Sequence, residues 1–238
     1  MNNIKIFFKK WHGFYNLLQN IYHFFRKITE TYIIGTKARE WFWQTRGGKW
    51  INIDFEKNPH PHRKLLLEKI SNHVPFNSVL EIGCANGPNL FFLANEFPKV
   101  KIQGIDINRK AIKIGNDYFK RKGISNVKLF VGRADDLSKF ADKSFDIIFT
   151  DAILLYIAKD KINKVALEMK RVTRKAIVLL EHHSEDKDAF GFYNQGNWIR
   201  DYKKLFEPFS SEIKTTKLPL GIWGGDWEKF GYIIEVVL

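Results

Sequence analysis

The chain has a single cysteine among its 238 residues, Cys84. A lone thiol excludes an internal disulfide framework and a cysteine-rich metal site, and it points to a reducing, cytoplasmic setting. No apolar run reaches the length of a bilayer span and no small-residue cleavage site follows the N-terminus, so neither secretion nor membrane spanning is expected. Acids are short relative to bases: 39 Lys and Arg against 26 Asp and Glu give a net charge of +13 and a pI of about 9.6. That charge permits a nucleic-acid partner, but the chain lacks a Cys/His finger, a recognition-helix signature and a low-complexity basic tail. Nucleic acid is therefore not the expected partner. The Gly-Lys-Ser/Thr signature of a phosphate cradle is missing too. A chain of this length buries the core of one α/β domain with residues left for an extension.

What is present begins at Ser78-Val79-Leu80-Glu81-Ile82-Gly83-Cys84-Ala85-Asn86-Gly87-Pro88-Asn89. Val79, Leu80 and Ile82 suit a buried parallel strand, Gly83 and Gly87 allow backbone angles and a close approach that side chains forbid, and Pro88 fits the first turn of a helix. Such a loop lies where doubly wound sheets bind nucleotide-like ligands. Glu81 ahead of the glycines would repel a pyrophosphate, so the expected ligand is nucleoside-like and carries positive charge.

Glu81, Gly83 and Gly87 at this spacing resemble the first motif of the class I S-adenosylmethionine-dependent methyltransferases, and the rest of the chain keeps the order of that fold. After a helical pattern over Asn89–Glu96, the run from Lys101 to Asn108 reads as a second strand with Asp106 at its tip. The resemblance implies that Asp106 holds both ribose hydroxyls. A helical face on Ala111, Ile112, Ile114 and Tyr118 leads to a third strand over Asn126–Val131, followed by Asp135 and Asp136, of which the first is assigned to the adenine amino group and the second is its alternative. The implied cofactor set is Glu81, Gly83, Cys84, Ala85, Asn86, Gly87, Asn89, Asp106, Ile107, Ala134, Asp135, Asp136, Asp151, Ala152 and Tyr156. Cys84 is read as a small loop residue, because nothing near it in sequence would lower its pKa.

Ser144–Asp151 reads as a fourth strand, and the loop from Ala152 to Ile157 resembles the family's fourth motif without the Asn-Pro-Pro-Tyr form that grips an exocyclic amine. A helix over Lys161–Arg171 and a fifth strand over Thr173–Glu181 bring Glu181, His182, His183 and Ser184 to the same sheet edge. His182 and His183 are the candidate bases, since a neutral imidazole takes a proton from a hydroxyl near physiological pH; Asp151 is the rival. The run from Phe190 to Tyr202 reads as a substrate loop, Trp198–Phe206 as a helix, Leu220–Trp227 as a turn, and Glu212–Leu218 with Glu228–Leu238 as the final strand pair.

Residues 1–75 hold thirteen Lys and Arg against five acids, a local excess of +8. Within residues 1–28, Phe7, Phe8, Trp11, Phe14, Leu18, Phe25 and their neighbours recur at helical spacing as one broad apolar stripe. Cap helices roofing the pocket, or an interfacial helix on an anionic membrane, both fit that pattern. The aromatic segment Trp41–Trp50 and the run Asn58-Pro59-His60-Pro61-His62-Arg63 read either as an anchor and a solvated linker or as a flap that closes over the cofactor and stacks on a ring-shaped acceptor. His60 and His62 lack an identifiable third metal ligand, and no metal site is assigned.

The expected architecture is a Rossmann-like, doubly wound, seven-stranded, mostly parallel sheet with the last strand antiparallel. It spans residues 63–238 behind a basic aromatic helical extension over 1–62. The implied activity is S-adenosylmethionine-dependent O-methylation of a small-molecule, glycan or lipid-linked acceptor. N-methylation of RNA or protein, and a cofactor-binding subunit without catalysis, are the alternatives.

Overall fold

The computed structural model describes residues 36–47, 51, 55–57, 59–186, 191–193 and 197–238. The apolar stripe of residues 1–28 lies outside the described residues, as do Gly48–Trp50, Asn58, Phe190 and Asn194–Gly196.

The strands are β1 (Ser78–Ile82), β2 (Lys101–Asp106), β3 (Val127–Val131), β4 (Phe145–Asp151), β5 (Thr173–His182), β6 (Gly191–Tyr193), β7 (Asn197–Ile199), β8 (Glu212–Lys217) and β9 (Gly231–Val237). The helices among the described residues are α1 (Thr36–Thr45), α2 (His62–Ser71), α3 (Pro88–Glu96), α4 (Arg109–Arg121), α5 (Lys159–Val172), α6 (Tyr202–Phe206) and α7 (Asp226–Phe230).

Seven strands form one sheet in the order β3-β2-β1-β4-β5-β9-β8. The pairings from β3 to β5 are parallel, and β9 runs antiparallel to both β5 and β8. Burial on both faces explains the near-continuous apolar strands. Val79, Ile147, Phe149, Val178 and Leu180 pack with Leu66, Ile70, Leu90 and Phe119 on one face. Leu80, Ile82, Ile148, Ile177 and Leu179 pack with Ile162, Val165, Met169 and Tyr202 on the other. The chain winds outward from β1 through β2 to β3, then returns to the centre and winds the other way through β4 and β5. A crevice therefore opens above the carboxyl ends of β1 and β4, where strand order reverses.

Two segments differ from expectation. The run from Phe190 to Tyr202 contributes a two-stranded ribbon, Gly191–Tyr193 paired with Asn197–Ile199, so Trp198 sits in a strand and only Tyr202–Phe206 is helical. Arg200 fixes that ribbon: its buried guanidinium donates to the carbonyls of Leu154, at 2.7 Å, and Ile157. Glu228 to Phe230 form the end of α7 rather than the start of a strand, because Gly225 turns the chain at φ +64° and a helical turn follows before β9 begins. Among the described residues no helix is long and apolar enough to cross a membrane.

Candidate active site

A cavity of about 440 Å³ occupies the crevice. Its floor is made by strand tips and the loops after them, with Gly83, Ala85, Asp106, Ile107, Ala134, Asp135, Asp151 and Ala152 in its lining. The turn after β1 is tight. Gly83 has φ +78°, and a Cβ there would lie 2.5 Å from Ile153. Ala85 and Ala152 hold left-handed backbone at φ +51° and +55°, conformations that a non-glycine residue keeps only where its surroundings impose them. At Ala85 the surroundings include Asp106, whose carboxylate accepts from the Ala85 amide at 2.9 Å and from the Asn108 amide at 2.8 Å. Burial pushes the Asp106 carboxyl above its ordinary pKa, against these two bonds.

Two further carboxylates stand side by side. Strand alternation sends Glu81 of β1 and Asp151 of β4 to the same face, and Asn89 of α3 bridges them, its amide donating to Glu81 at 2.7 Å and to Asp151 at 2.9 Å. The second Glu81 oxygen is buried with no hydrogen-bond partner. Burial, with Asp151 and Asp106 nearby, pushes the Glu81 carboxyl up to about 8. Asp151 is less deeply buried, its side chain 12% exposed, and His62 and then Asn89 and Arg63 outweigh the burial and hold its carboxyl below the usual range. His62 Nε2 lies 2.9 Å from Asp151 Oδ2, and His62 Nδ1 lies 2.7 Å from His60 Nδ1. Trp223 covers both imidazoles, its ring centre 5.0 Å from His60 and 4.2 Å from His62. All three line the cavity.

Helix α1 adds Arg39, Glu40 and Trp43 to the lining. Arg133 donates to both oxygens of Glu40, at 2.8 and 2.9 Å, and to both oxygens of Asp135, at 2.8 and 3.0 Å, while Lys161 also donates to Glu40. Asn108, buried at the N-terminus of α4, accepts from the Ala111 amide and donates to the Trp43 and Arg46 carbonyls at 2.8 Å each. Trp43 in turn meets Tyr156 at 4.8 Å. The loop after β4 is shaped from below by Glu181, which accepts from Thr150 Oγ1 and from the amides of Ile153, Leu154 and Leu155 at 2.9–3.1 Å.

Of the residues expected at the cofactor, Gly83, Ala85, Asp106, Ile107, Ala134, Asp135, Asp151, Ala152 and Tyr156 line the cavity. Glu81 and Asn89 stand behind it. Cys84 is buried with its side chain against Gly104, Asn86 is buried, and Gly87 caps the helix start at φ +87°. Asp136 is exposed and caps the Ser138 amide at 3.2 Å, outside the cavity.

The expected bases His182 and His183 require correction, since neither reaches the cavity. His182 shares the parity of Leu180 and is sealed beneath Trp227, 4.2 Å between ring centres, where burial lowers its pKa to about 4. His183 points to the other face, with Nδ1 3.0 Å from the Arg200 carbonyl and 3.2 Å from the Tyr202 amide. Glu40, Arg133 and Lys161 were missed as lining residues, while Trp43 belongs to the aromatic segment read either as an anchor or as a flap over the cofactor. Glu40 lies just outside that segment, and Arg133 and Lys161 had no motif to mark them.

The residues present fit a cationic nucleoside. Asp106, Asp135 and Asp151 line the cavity and Glu81 stands behind it with an orphaned oxygen, while the lining cations Arg133 and Lys161 are already paired with Glu40 and Asp135. A sequence profile of the family described as "Methyltransferase domain" matches residues 75–234. The chain belongs to the class I S-adenosylmethionine-dependent methyltransferases. A demethylmenaquinone methyltransferase of Geobacillus stearothermophilus is 32% identical over 114 residues, covering 48% of this chain and 47% of that protein. An uncharacterised protein of Haemophilus influenzae is 27% identical over 157 residues, 65% of this chain and 57% of its own. The chain thus spans about half the length of the curated relatives it matches. A geranyl diphosphate methyltransferase in complex with GPP and sinefungin superposes with a TM-score of 0.66 at 13% identity, covering 85% of this chain and 97% of that one. The [4+2]-cyclase SpnF superposes too, with a TM-score of 0.60 at 15% identity over 82% of this chain and 85% of that one. The fold is shared across different reactions, so the reaction must be argued from the site.

Proposed function

We propose that this methyltransferase moves a methyl group from S-adenosylmethionine to an oxygen of a small-molecule acceptor. The observation that carries this reading is one continuous cavity with two chemically different ends: strand tips with Asp106, Ala134 and Asp135 at one, and His60, His62 and Trp223 at the other. Asp106 would hold the ribose hydroxyls, since one carboxylate accepts two hydrogen bonds at once. Asp135 and the Ala134 backbone would meet the adenine edge, and Glu81, Asn89 and Asp151 the methionine end. The cofactor, when bound, supplies a methyl group on a cationic sulfonium. The chain's own part is to align an acceptor in line with that carbon and to keep water out, which Trp43, Tyr156, Ile153 and Ile157 do as cavity walls.

The acceptor end favours a compact organic molecule over a polymer. Its walls are aromatic and imidazole surfaces, and Arg63 is already engaged by Asn89 and stands 3.8 Å from Asp151. Relatives and neighbours named for demethylmenaquinone and geranyl diphosphate support an acceptor of that size. Calorimetry with S-adenosylmethionine tests the cofactor half. Asp106→Ala removes charge-assisted hydrogen bonds of about 1.5–3 kcal/mol in all, so affinity should fall by roughly 10-fold or more. Unchanged affinity would overturn the ribose assignment. Cell extract incubated with methyl-labelled cofactor identifies the acceptor, and a labelled carbon or nitrogen in place of an ether oxygen would overturn the O-methylation reading.

A further inference from the structure

Asp151, His62 and His60 form a chain of three hydrogen-bonding groups that ends at the acceptor side of the cavity. With both imidazoles neutral, donor and acceptor counts allow one arrangement of the protons. Asp151 is ionised and only accepts, so the proton at the 2.9 Å contact sits on His62 Nε2. A neutral His62 then has a bare Nδ1, and the 2.7 Å contact to His60 Nδ1 must be donated by His60. With its proton fixed on Nδ1, His60 keeps an unprotonated Nε2.

We propose that His60 is the catalytic base of the methyl transfer, with His62 and Asp151 as positioning residues that fix its tautomer, and that the acceptor is a hydroxyl still carrying its proton. This rests on the O-methylation reading above. In the step, the acceptor oxygen bonds to the methyl carbon as the carbon–sulfur bond breaks and its electron pair passes to sulfur. The hydroxyl proton passes to His60 Nε2. One positive charge thus leaves the sulfonium and one appears on imidazole, so charge inside the cavity is conserved.

The surroundings suit a resting base. Burial is the first cause that lowers the His60 pKa, and the Arg63 charge acts the same way, while Asp151 acts the other way. Asp151 and Arg63 are the charged groups that act on His60, and Trp223 covers the pair from the loop before α7. The ring is therefore neutral before reaction, and the imidazolium formed afterwards is linked through His62 to a carboxylate. An acceptor that ionises by itself would have no use for this relay.

Long-range nitrogen-15 correlation NMR of the full chain carrying labelled histidine reads the tautomers, with His60→Gln and His62→Gln assigning the signals. At pH about 7.5 the proposal expects the proton of His62 on Nε2 alone and that of His60 on Nδ1 alone. Asp151→Asn should shift the tautomer of both rings. A proton on His60 Nε2, or a doubly protonated His60, overturns the proposal. S-adenosylmethionine calorimetry on the same samples separates the two readings: cofactor binding with the wrong His60 tautomer defeats the relay alone, and absent binding defeats the methyltransferase reading. With methyl-labelled cofactor and a panel of phenols of graded acidity, His60→Gln should slow un-ionised phenols by about 100-fold or more. Phenols already ionised at the assay pH should be slowed only a few-fold. Equal loss on both classes overturns the proposal, and if no phenol is methylated the tautomer measurement decides alone.

Discussion

The buried carboxyl of Glu81 makes the stability of the cofactor-free chain depend on pH in a direction opposite to that of ordinary paired carboxylates. Glu81 is 1% exposed, accepts one bond from Asn89, and has a second oxygen with no partner. Its pKa is raised from 4.5 to about 8, first by burial and then by the neighbouring Asp151 and Asp106. Between those two values the unfolded chain has lost the proton and the folded chain has kept it. The folded state then binds more protons, so stability is fully present below about pH 4.5 and falls as pH rises, by about 1.4 kcal/mol per pH unit at most. Glu81→Gln removes the titration while keeping an oxygen for Asn89. Its amide group adds a constant cost, because the added donors also lack partners, but that cost does not vary with pH.

The informative quantity is therefore the slope of the difference between variant and wild type. Urea unfolding of both proteins from about pH 5.5 to about pH 7.5 should show the variant gaining about 3 kcal/mol relative to wild type, two units at the limiting slope. Glu181, on the opposite face of the sheet and also raised, to about 7, adds a slope of the same sign, but it is present in both proteins and cancels. Parallel pH profiles for wild type and Glu81→Gln would refute the reasoning and mean that Glu81 is ionised in the folded chain.

Gly83→Ala places a Cβ 2.5 Å from Ile153 on a backbone at φ +78°, so thermal unfolding should show a loss of about 2 kcal/mol and calorimetry a weaker cofactor; unchanged values for both would remove the turn from the site. Glu40→Gln loosens the tie from α1 to Arg133 and Lys161; these groups are partly exposed, so the stability change should stay below about 1 kcal/mol. Limited proteolysis should nevertheless cut more readily near residues 36–47, and equal cleavage rates in the two proteins would count against α1 being held by this contact. The Glu40 carboxyl is held below its ordinary pKa first by its bond to Arg133, so the contact is complete above about pH 4.5 and is lost as pH falls through the depressed value.

The sheet and the cofactor end could be read from sequence because their signals are local. The central strands are largely apolar, and β1, β2 and β4 end on a glycine turn or an acid, at Gly83, Asp106 and Asp151. The contacts that finish the site span long separations: His62 and Asp151 lie 89 residues apart, and Glu40 and Arg133 lie 93 apart. Nothing at His60 or His62 marks the partner, so a linker and a flap read equally well. The bases at the end of β5 failed for a different reason. Strand alternation already divides Glu181 and His183 from His182, but the helix α7 that carries Trp227 over His182 straddles what reads as a turn and the start of a strand. Glu181, placed at the right edge, proved to be a loop organiser because four donors from the β4 tip and its loop converge on it.

These contacts bear on where the extension ends. A division between residues 62 and 63 follows the start of the family-like pattern, yet His62 is both the first residue of α2 and the partner of Asp151 at the tip of β4. The tie at Glu40 and the tie from Asn108 to the Trp43 and Arg46 carbonyls join α1 to the loops after β3 and β2. The strand tips alone make an open shelf with three acids. The acceptor wall, the imidazole pair and most of the aromatic cover come from residues outside the sheet. Substitutions in α1 or around His60 should therefore change which acceptor is accepted while leaving the cofactor contacts of Gly83, Ala85 and Asp106 intact, and a chain cut at residue 62 would keep the shelf and lose the relay.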